Sequence, residues 1–346
     1  MQDDWLALHR LLREPAVLAN TLELPYMGED AAREHLSSTP PPGTYNLVAA
    51  AASPSGRGQV LGAAWLTTGR GPRRRHSARL TAITHPTYPE AITALVEAAI
   101  DLAENWLGLH RLELRAFAAD TETITCCEAL GFEQEAVLRQ YAVRGGQQAD
   151  VVVLARVPHP APPPPAPPAP PSRAAGLDEQ DIFVRGTEAD DWEDLSEVYN
   201  APEVIFGTLQ TPYQSRDVIR NRFENIPSHI RSLVAEVDEQ VVGNLGLYIE
   251  TGRRAHAAGF GMMVHPDFQG QGVGRALLEA AIDLAENWLH LTRIELEVFP
   301  DNVAALGLYE RCGFEVEGRR RDASWRDGHY VDNLVMSRIV KEQRGE

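Results

Sequence analysis

One stretch of this chain occurs twice. Ile100-Asp101-Leu102-Ala103-Glu104-Asn105-Trp106-Leu107 returns unchanged as Ile282 to Leu289. Other matches keep the same order around it. Arg111-Leu112-Glu113-Leu114 is echoed by Arg293-Ile294-Glu295-Leu296, and Leu130-Gly131-Phe132-Glu133 by Cys312-Gly313-Phe314-Glu315. Thr21-Leu22-Glu23-Leu24-Pro25-Tyr26 is echoed by Thr208-Leu209-Gln210-Thr211-Pro212-Tyr213, and His76-Ser77-Ala78 by His256-Ala257-Ala258. The chain is a tandem duplication. Its period of about 180 residues is far too long for a stacking repeat, so each copy has to bury a core of its own. Two domains are also what 346 residues suggest.

Pro158 to Pro171 is almost entirely proline and alanine. Such a stretch favours extended polyproline II, cannot form a core, and reads as a semi-rigid spacer. The expected limits are therefore 1–157 for the first copy, 158–178 for the linker and 179–346 for the second copy. In the second copy the apolar periodicity predicts a strand at 182–186, helices at 189–200 and 215–225, and a hairpin of 231–237 with 241–250 turning at Asp238-Glu239. A strand at 255–264, a helix at 273–289, a strand at 293–299, a helix at 302–311 and a closing hairpin of 314–322 with 329–339 complete it. The fold class is α/β: two tandem domains, each a mixed, mostly antiparallel sheet flanked by helices. Asp3-Asp4-Trp5 aligns with Asp190-Asp191-Trp192, so the first copy begins after the point where a strand like Ile182-Phe183-Val184-Arg185 belongs. Either its sheet is one strand shorter or its start is late. Its hairpin turn is the looser Ala52 to Gly58.

The run Gln269-Gly270-Gln271-Gly272-Val273-Gly274-Arg275 stands between a predicted strand and a predicted helix. The first turn of a helix has unpaired N–H groups and a partial positive charge. Glycines let the preceding backbone approach a ligand closely. Together they suit a pyrophosphate, and Arg275 can add a side-chain contact. A dinucleotide fingerprint would open a βαβ unit, whereas this run lies deep in its copy. A P-loop would need Gly-Lys-Ser/Thr, which Gly274-Arg275-Ala276 does not supply.

The Gln-x-x-Gly-x-Gly run resembles the acetyl-CoA signature of the GNAT N-acetyltransferase superfamily. Downstream, Asn302, Ala304-Ala305, Leu308-Tyr309 and Cys312-Gly313-Phe314 resemble the second signature of that superfamily. Pro202-Glu203-Val204, Arg253-Arg254, His256, Val298-Phe299, Asp301-Asn302 and Gly328-His329-Tyr330-Val331-Asp332 are similar to the bacterial L-amino-acid N-acyltransferases over nearly all of 182–340. The resemblance implies acetyl-CoA as cofactor and a small-molecule amine, a free amino acid, as acceptor. Acetylation of polyamines or protein N-termini, and non-catalytic acyl-CoA binding, are the alternatives.

The resemblance also implies roles. Gln269 to Arg275, backbone amides of Met262, Met263 and Val264, and Asn302, Ala305 and Tyr309 would contact the cofactor. The methionine side chains themselves read as packing residues. Acyl transfer needs a neutral amine, a stabilised carbonyl oxygen, a protonated leaving thiol and two substrates held together. Tyr309, a phenol with an ordinary pKa near 10, is the candidate acid. Asn302 can meet the cofactor arm, cap the helix that begins there, or both. Glu297 is the candidate base, with water relays as the alternative. Phe206, Thr208, Tyr213, His256 and Phe299 are the candidate acceptor contacts, although the survival of His256 as His76 favours a structural role. Arg319-Arg320-Arg321 reads as a solvated turn, with the ribose phosphate of the cofactor as its other candidate partner.

The first copy departs from this pattern. After His85-Pro86 it reads Thr87-Tyr88-Pro89-Glu90, with no glycine; Asp120 answers Asn302, Cys127 answers Tyr309 and Arg115 answers Glu297. It is expected to be degenerate and structural, packed on the second copy as an intramolecular pseudo-dimer that leaves room for further homo-oligomers. A net charge of −17 argues against nucleic acid as a partner. No apolar run approaches a membrane span, and Met1-Gln2-Asp3-Asp4-Trp5 is not a secretory signal. Cys126, Cys127 and Cys312 make neither a disulfide framework nor a metal spacing, so a reduced, cytoplasmic protein is expected.

Overall fold

In both copies the shared octapeptide ends a helix in the same way. A computed structural model of the chain describes residues 4–26, 28–38, 40–51, 58–158 and 181–340. The expected linker, apart from Pro158, and most of the Ala52–Gly58 loop lie outside the described residues. The chain divides into two compact units, Met1–Ala161 with Arg320–Ala323, and Pro162–Arg319 with Ser324–Glu346.

The first unit holds α1 (Trp5–Arg13), α2 (Pro15–Ala19), α3 (Glu29–Ser37), β1 (Thr44–Ala50), β2 (Val60–Thr68), β3 (Ser77–Thr84), α4 (Ala91–Asp101), β4 (Arg111–Phe117), α5 (Thr121–Ala129), β5 (Glu133–Arg144) and β6 (Gln147–Arg156). Its strands lie in the order β1-β2-β3-β4-β6-β5. Among the described residues no strand precedes α1, so this sheet has one strand fewer than the second.

The second unit holds β7 (Phe183–Gly186), α6 (Trp192–Asn200), α7 (Pro202–Gly207), α8 (Arg216–Glu224), β8 (Ile230–Val237), β9 (Gln240–Ile249), β10 (Ala257–Val264), α9 (Val273–Asp283), β11 (Arg293–Val298), α10 (Val303–Arg311), β12 (Glu315–Arg326) except its Arg320–Ala323, which count with the first unit, and β13 (His329–Ile339). Its strands lie in the order β12-β13-β11-β10-β9-β8-β7. The pairs that bracket a crossover helix, β3/β4 and β10/β11, are parallel; their other neighbours β2/β3, β4/β6, β9/β10 and β11/β13 are antiparallel. Each unit is thus a mixed, mostly antiparallel sheet flanked by helices.

α9 buries Val273, Leu277, Leu278 and Ala281, a single stripe at helical spacing, against Leu245, Leu247, Ile294 and Leu296 of the sheet. Its last turn, Leu284–Trp288, widens to a π-turn. There Asp283 accepts from Asn287 Nδ2 at 2.8 Å and from Trp288 Nε1 at 3.2 Å. Asp101 accepts from Asn105 and Trp106 at 2.8 and 3.1 Å in the same way. Asp238 and Glu239 both take positive φ, 49° and 62°, as a tight hairpin turn requires.

Two readings need correction. The expected 314–322 strand runs on to Arg326, because the turn is made by Asp327-Gly328 with φ of 47° and 78°. Arg319-Arg320-Arg321 therefore lies within a strand and is not a solvated turn. Arg319 bonds Asp332; within the first unit, Arg320 bonds Glu113 and Arg321 bonds Glu133 and Glu135. The short helix α7, with Pro202 at its first position, was not expected from periodicity.

Candidate active site

A gap opens between β10 and β11. The two strands pair only at Ala257/Arg293, Ala258/Ile294 and Gly259/Glu295. Beyond Gly259 each follows its outer neighbour, β10 to Val264 beside Gly243 of β9, and β11 to Val298 beside Leu334 of β13. The backbone polarity of β10 can be read from its ends. Ala257 O accepts from Glu250 N–H at 3.0 Å and His265 N–H donates to Val242 O at 2.8 Å. Alternate residues from Ala257 to His265 therefore face β9, which turns the amides and carbonyls of Phe260, Met262 and Val264 into the gap. The Val264 carbonyl is taken up by Gln269 Nε2 at 3.0 Å. Of the three backbone positions expected to meet a ligand, Met262 and Val264 face the gap. Met263 turns its side chain into a core with Leu195, Tyr199 and Val204.

The glycine run forms the entrance to α9. Gly270 and Gly272 have φ of +76° and +102°, which only glycine adopts at little cost. The first intrahelical bonds run from Arg275 and Ala276 N–H to Gly272 O, both at 3.0 Å. The N–H groups of Gly270, Gln271, Gly272, Val273 and Gly274 make no hydrogen bond among the described residues. Gln271 braces the loop by donating to Asp267 O. A Cβ on Gly274 would lie 3.4 Å from Leu308 Cδ2 and 3.5 Å from Met262 Cε, so α9, α10 and β10 converge at this point. Arg275, expected to face a phosphate, lies along the helix and bonds Glu279 at 2.8 Å.

The corresponding entrance to α4 is closed. Ala91, Ile92 and Thr93 N–H donate to Tyr88, Pro89 and Glu90 carbonyls at 3.0, 3.1 and 3.2 Å. The first-turn amides there are already used within the loop, and no residue from His85 to Glu90 takes a positive φ.

Tyr309 projects from α10 into the core below the gap. Its ring meets Phe260 of β10 edge-on at 5.7 Å and Phe314 at 6.0 Å. Burial pushes the phenol pKa up to about 12, and the hydroxyl makes no hydrogen bond among the described residues. It is thus a neutral donor with no acceptor among the described residues. Asn302 caps α10, accepting from Ala305 N–H at 3.2 Å. Asp120 caps α5 in the same way through Thr123 N–H, so the Asn-to-Asp exchange preserves the cap. Only its neutral amide group sets Asn302 apart from Asp120.

The other face of the same strands is nearly bare. Gly261 pairs with Gly246 across β10/β9, and Gly259 with Tyr248. A Cβ on Gly259 would find only Glu295 O at 3.8 Å, and one on Gly261 only the Tyr248 ring at 4.0 Å. Tyr248 itself is 47% exposed. Ile294, Leu296 and Val298 point into the Tyr309 core, so Glu297 stands on this bare face, opposite Tyr309. It accepts from Asn333 Nδ2 at 2.8 Å, and Asn333 Oδ1 accepts from Ser324 Oγ at 3.1 Å. Sequence reasoning missed this cleared face, although Gly246, Gly259 and Gly261 were its signal: glycine inside a strand marks a close approach.

Of the remaining acceptor candidates, only Phe206 and Phe299 are seen to share a partner. Phe206 and Phe299 clamp Arg326, whose guanidinium is 4.2 and 4.5 Å from their ring centres and bonds Asp301. Thr208 donates to Val204 O at 2.7 Å and ends α7. Tyr213 is 98% exposed at φ 63°. The His256 carbonyl receives Thr292 N–H at 2.9 Å at the start of the parallel pair. Among the described residues no group of three or more His, Cys, Asp or Glu is placed to hold a metal, and no helix is long and apolar enough to cross a membrane.

Comparison with known proteins bears on this arrangement. The sequence profile of the Acetyltransferase (GNAT) family matches residues 192–314. The L-amino acid N-acetyltransferase AaaT of Escherichia coli (strain K12) is 38% identical over 160 residues, which is 46% of this chain and 98% of that protein. The spermidine N(1)-acetyltransferase of Vibrio cholerae is 28% identical over 154 residues, 44% of this chain and 88% of that protein. The crystal structure of spermidine N-acetyltransferase from Vibrio cholerae in complex with CoA and spermine gives a TM-score of 0.43 at 26% identity, covering 46% of this chain and 96% of that one. With 38% identity across nearly the whole of AaaT and a family profile over residues 192–314, this chain belongs to the GNAT acetyltransferase family.

Proposed function

We propose that the chain transfers the acetyl group of acetyl-CoA to the amino group of a small molecule, a free amino acid, and that the second unit carries the reaction. The observation that bears most weight is the contrast between two helix entrances. Among the described residues the amides of Gly270 to Gly274 are unpaired at α9, whereas those of Ala91 to Thr93 are spent at α4. A pyrophosphate fits the first, whereas at the second the amides of Ala91, Ile92 and Thr93 are already engaged.

Acetyl-CoA, when bound, supplies the thioester that makes the acetyl carbon electrophilic. The amides of Gly270 to Gly274 would hold its pyrophosphate, and the gap-facing backbone of Met262 and Val264 its amide arm and carbonyl oxygen. Tyr309 keeps its phenolic proton at Oη and offers it to the departing sulfur. Glu297, held by Asn333, faces the opposite side and takes the proton of an arriving ammonium group. Placing acid and base on opposite faces keeps each from neutralising the other. The 38% identity with an L-amino acid N-acetyltransferase supports an amino acid acceptor.

A polyamine is the second reading. It is favoured by the bare face itself, where Glu297 and the half-exposed ring of Tyr248 suit a cation. The two separate in one experiment: thiol release from acetyl-CoA is followed with the L-amino acids one by one and with spermidine. The first reading expects at least one amino acid to raise the rate well above background hydrolysis. Acceleration by spermidine alone would transfer the assignment to polyamines.

A further inference from the structure

The face of the first unit that corresponds to the bare face of the second carries the opposite chemistry. Arg79 stands beside Glu113 in the parallel β3/β4 register, where the second unit pairs Gly259 with Glu295. Two residues along β4, Arg115 occupies the place of Glu297. The carboxylate of Glu113 receives all the cations of this patch. Its Oε1 lies 3.1 Å from Arg115 Nε and 3.7 Å from Arg79 Nε; its Oε2 lies 3.1 Å from Arg111 Nη2 and 2.6 Å from Arg320 Nη2. Burial alone would raise the pKa of Glu113, but the charges of Arg320, Arg115, Arg111 and Arg79 overcome it and hold the carboxyl well below its usual range.

Arg79 and Arg115 differ from the rest. Arg111 is fully buried and makes a bidentate pair with Glu135 at 3.0 and 2.6 Å. The Arg115 guanidinium is fixed over the Tyr141 ring at 5.6 Å and donates to Tyr141 Oη at 2.6 Å. The Arg79 side chain is 51% exposed, reaches Glu113 only at ion-pair distance, and makes no hydrogen bond among the described residues. Its donors are therefore open to a ligand. Because both Nε atoms approach one oxygen, the two guanidiniums stand within about 7 Å of each other, close enough to repel strongly. The Arg115 charge, with burial, lowers the Arg79 pKa. In a chain with a net charge of −17 such a patch is conspicuous.

We infer that Arg79 and Arg115 form a binding site for a small oxyanion, a carboxylate or a phosphate, on the first unit. Arg115 offers a guanidinium already held in place by Tyr141, and Arg79 closes on the ligand from the solvent side. An amine, which the matching face of the second unit suits, is repelled here. The duplication has thus turned a cation-accepting surface into an anion-accepting one.

The test is thermal unfolding of the full chain with sodium succinate or sodium phosphate, against sodium chloride at equal ionic strength. The expected result is a saturable rise in Tm of a few degrees with at least one of the two oxyanions, beyond that in chloride. Arg79→Gly, which installs the residue of the second unit, and Arg115→Gln should each weaken the apparent affinity at least about tenfold, while Arg79→Lys keeps part of it. Gly272→Asp, which blocks the glycine loop, should leave the rise intact. Two results overturn the proposal: a rise no larger than in chloride, or a rise that survives Arg79→Gly and Arg115→Gln. Loss in Gly272→Asp with retention in the arginine variants would place the anion on the glycine loop instead.

Discussion

A phenol packed between two phenylalanines holds its proton well into alkaline solution, which defines what Tyr309 contributes. Its hydroxyl has no partner among the described residues, so Tyr309→Phe removes chemistry and little packing. We expect kcat to fall about 10²–10⁴-fold, with acetyl-CoA affinity within a few-fold of wild type. The raised pKa sets the pH behaviour. Burial favours the protonated form in the folded state, so that preference is complete below pH 10 and is lost as pH rises towards about 12. Steady-state rates measured from pH 8 to 11 should therefore show no loss due to Tyr309 near pH 10; a break there that vanishes in Tyr309→Phe would remove the buried-acid account. Glu297 makes a complementary test. Glu297→Gln keeps an acceptor for Asn333 and deletes only the charge, so kcat/KM for the amine should drop about 10²-fold while thermal stability barely changes. Unaltered kcat/KM would hand the proton to water. At this scale the cap at Asn302 was legible, because an Asn directly before an apolar helical run is a common helix start. The stacking of Phe206 and Phe299 on Arg326 was not legible, because aromatic residues look alike in sequence whether they meet a ligand or a guanidinium.

Elements were easier to read than their purposes. The helix from Val273 and the strands beside it follow plain periodicity, and the Asp238-Glu239 turn follows from local residue preference. The π-turn in Leu284–Trp288 and the placing of Arg319 to Arg321 inside β12 did not, the second because the partners of Arg320 and Arg321 lie far away in sequence. The gap between β10 and β11 is invisible in sequence, since it is a property of register. Two glycine substitutions separate its two sides. Gly272→Ala forces a Cβ into φ +102°, costing roughly 1–2 kcal/mol and distorting the amide cradle, so calorimetry should show acetyl-CoA binding at least about tenfold weaker. Gly261→Val fills the opposite face beside Tyr248 and should raise the acceptor KM by a similar factor with the acetyl-CoA Kd unchanged. If both variants weaken the same substrate, the two-sided arrangement is wrong.

The molecule holds two versions of one fold, and the version whose helix entrance, His85 to Glu90, lacks glycine shows no open cradle among the described residues. Titration of the intact chain with acetyl-CoA should therefore saturate at one equivalent. A second equivalent of comparable affinity would mean that α4 opens its first turn to a phosphate. The octapeptide shared by α4 and α9, with its matching π-turns and aspartate–indole bonds, has a consequence for how such a chain reaches its native state. Each copy of that segment carries the same local instructions and can dock, early in folding, against the wrong sheet. Neighbouring domains with near-identical segments are prone to such trapped, exchanged intermediates. Dilution from denaturant should show a slow recovery phase whose amplitude does not depend on protein concentration, and diversifying Ile100–Leu107 with conservative replacements should shrink it. The chain would then carry in its most symmetrical segment a kinetic handicap that only asymmetry relieves.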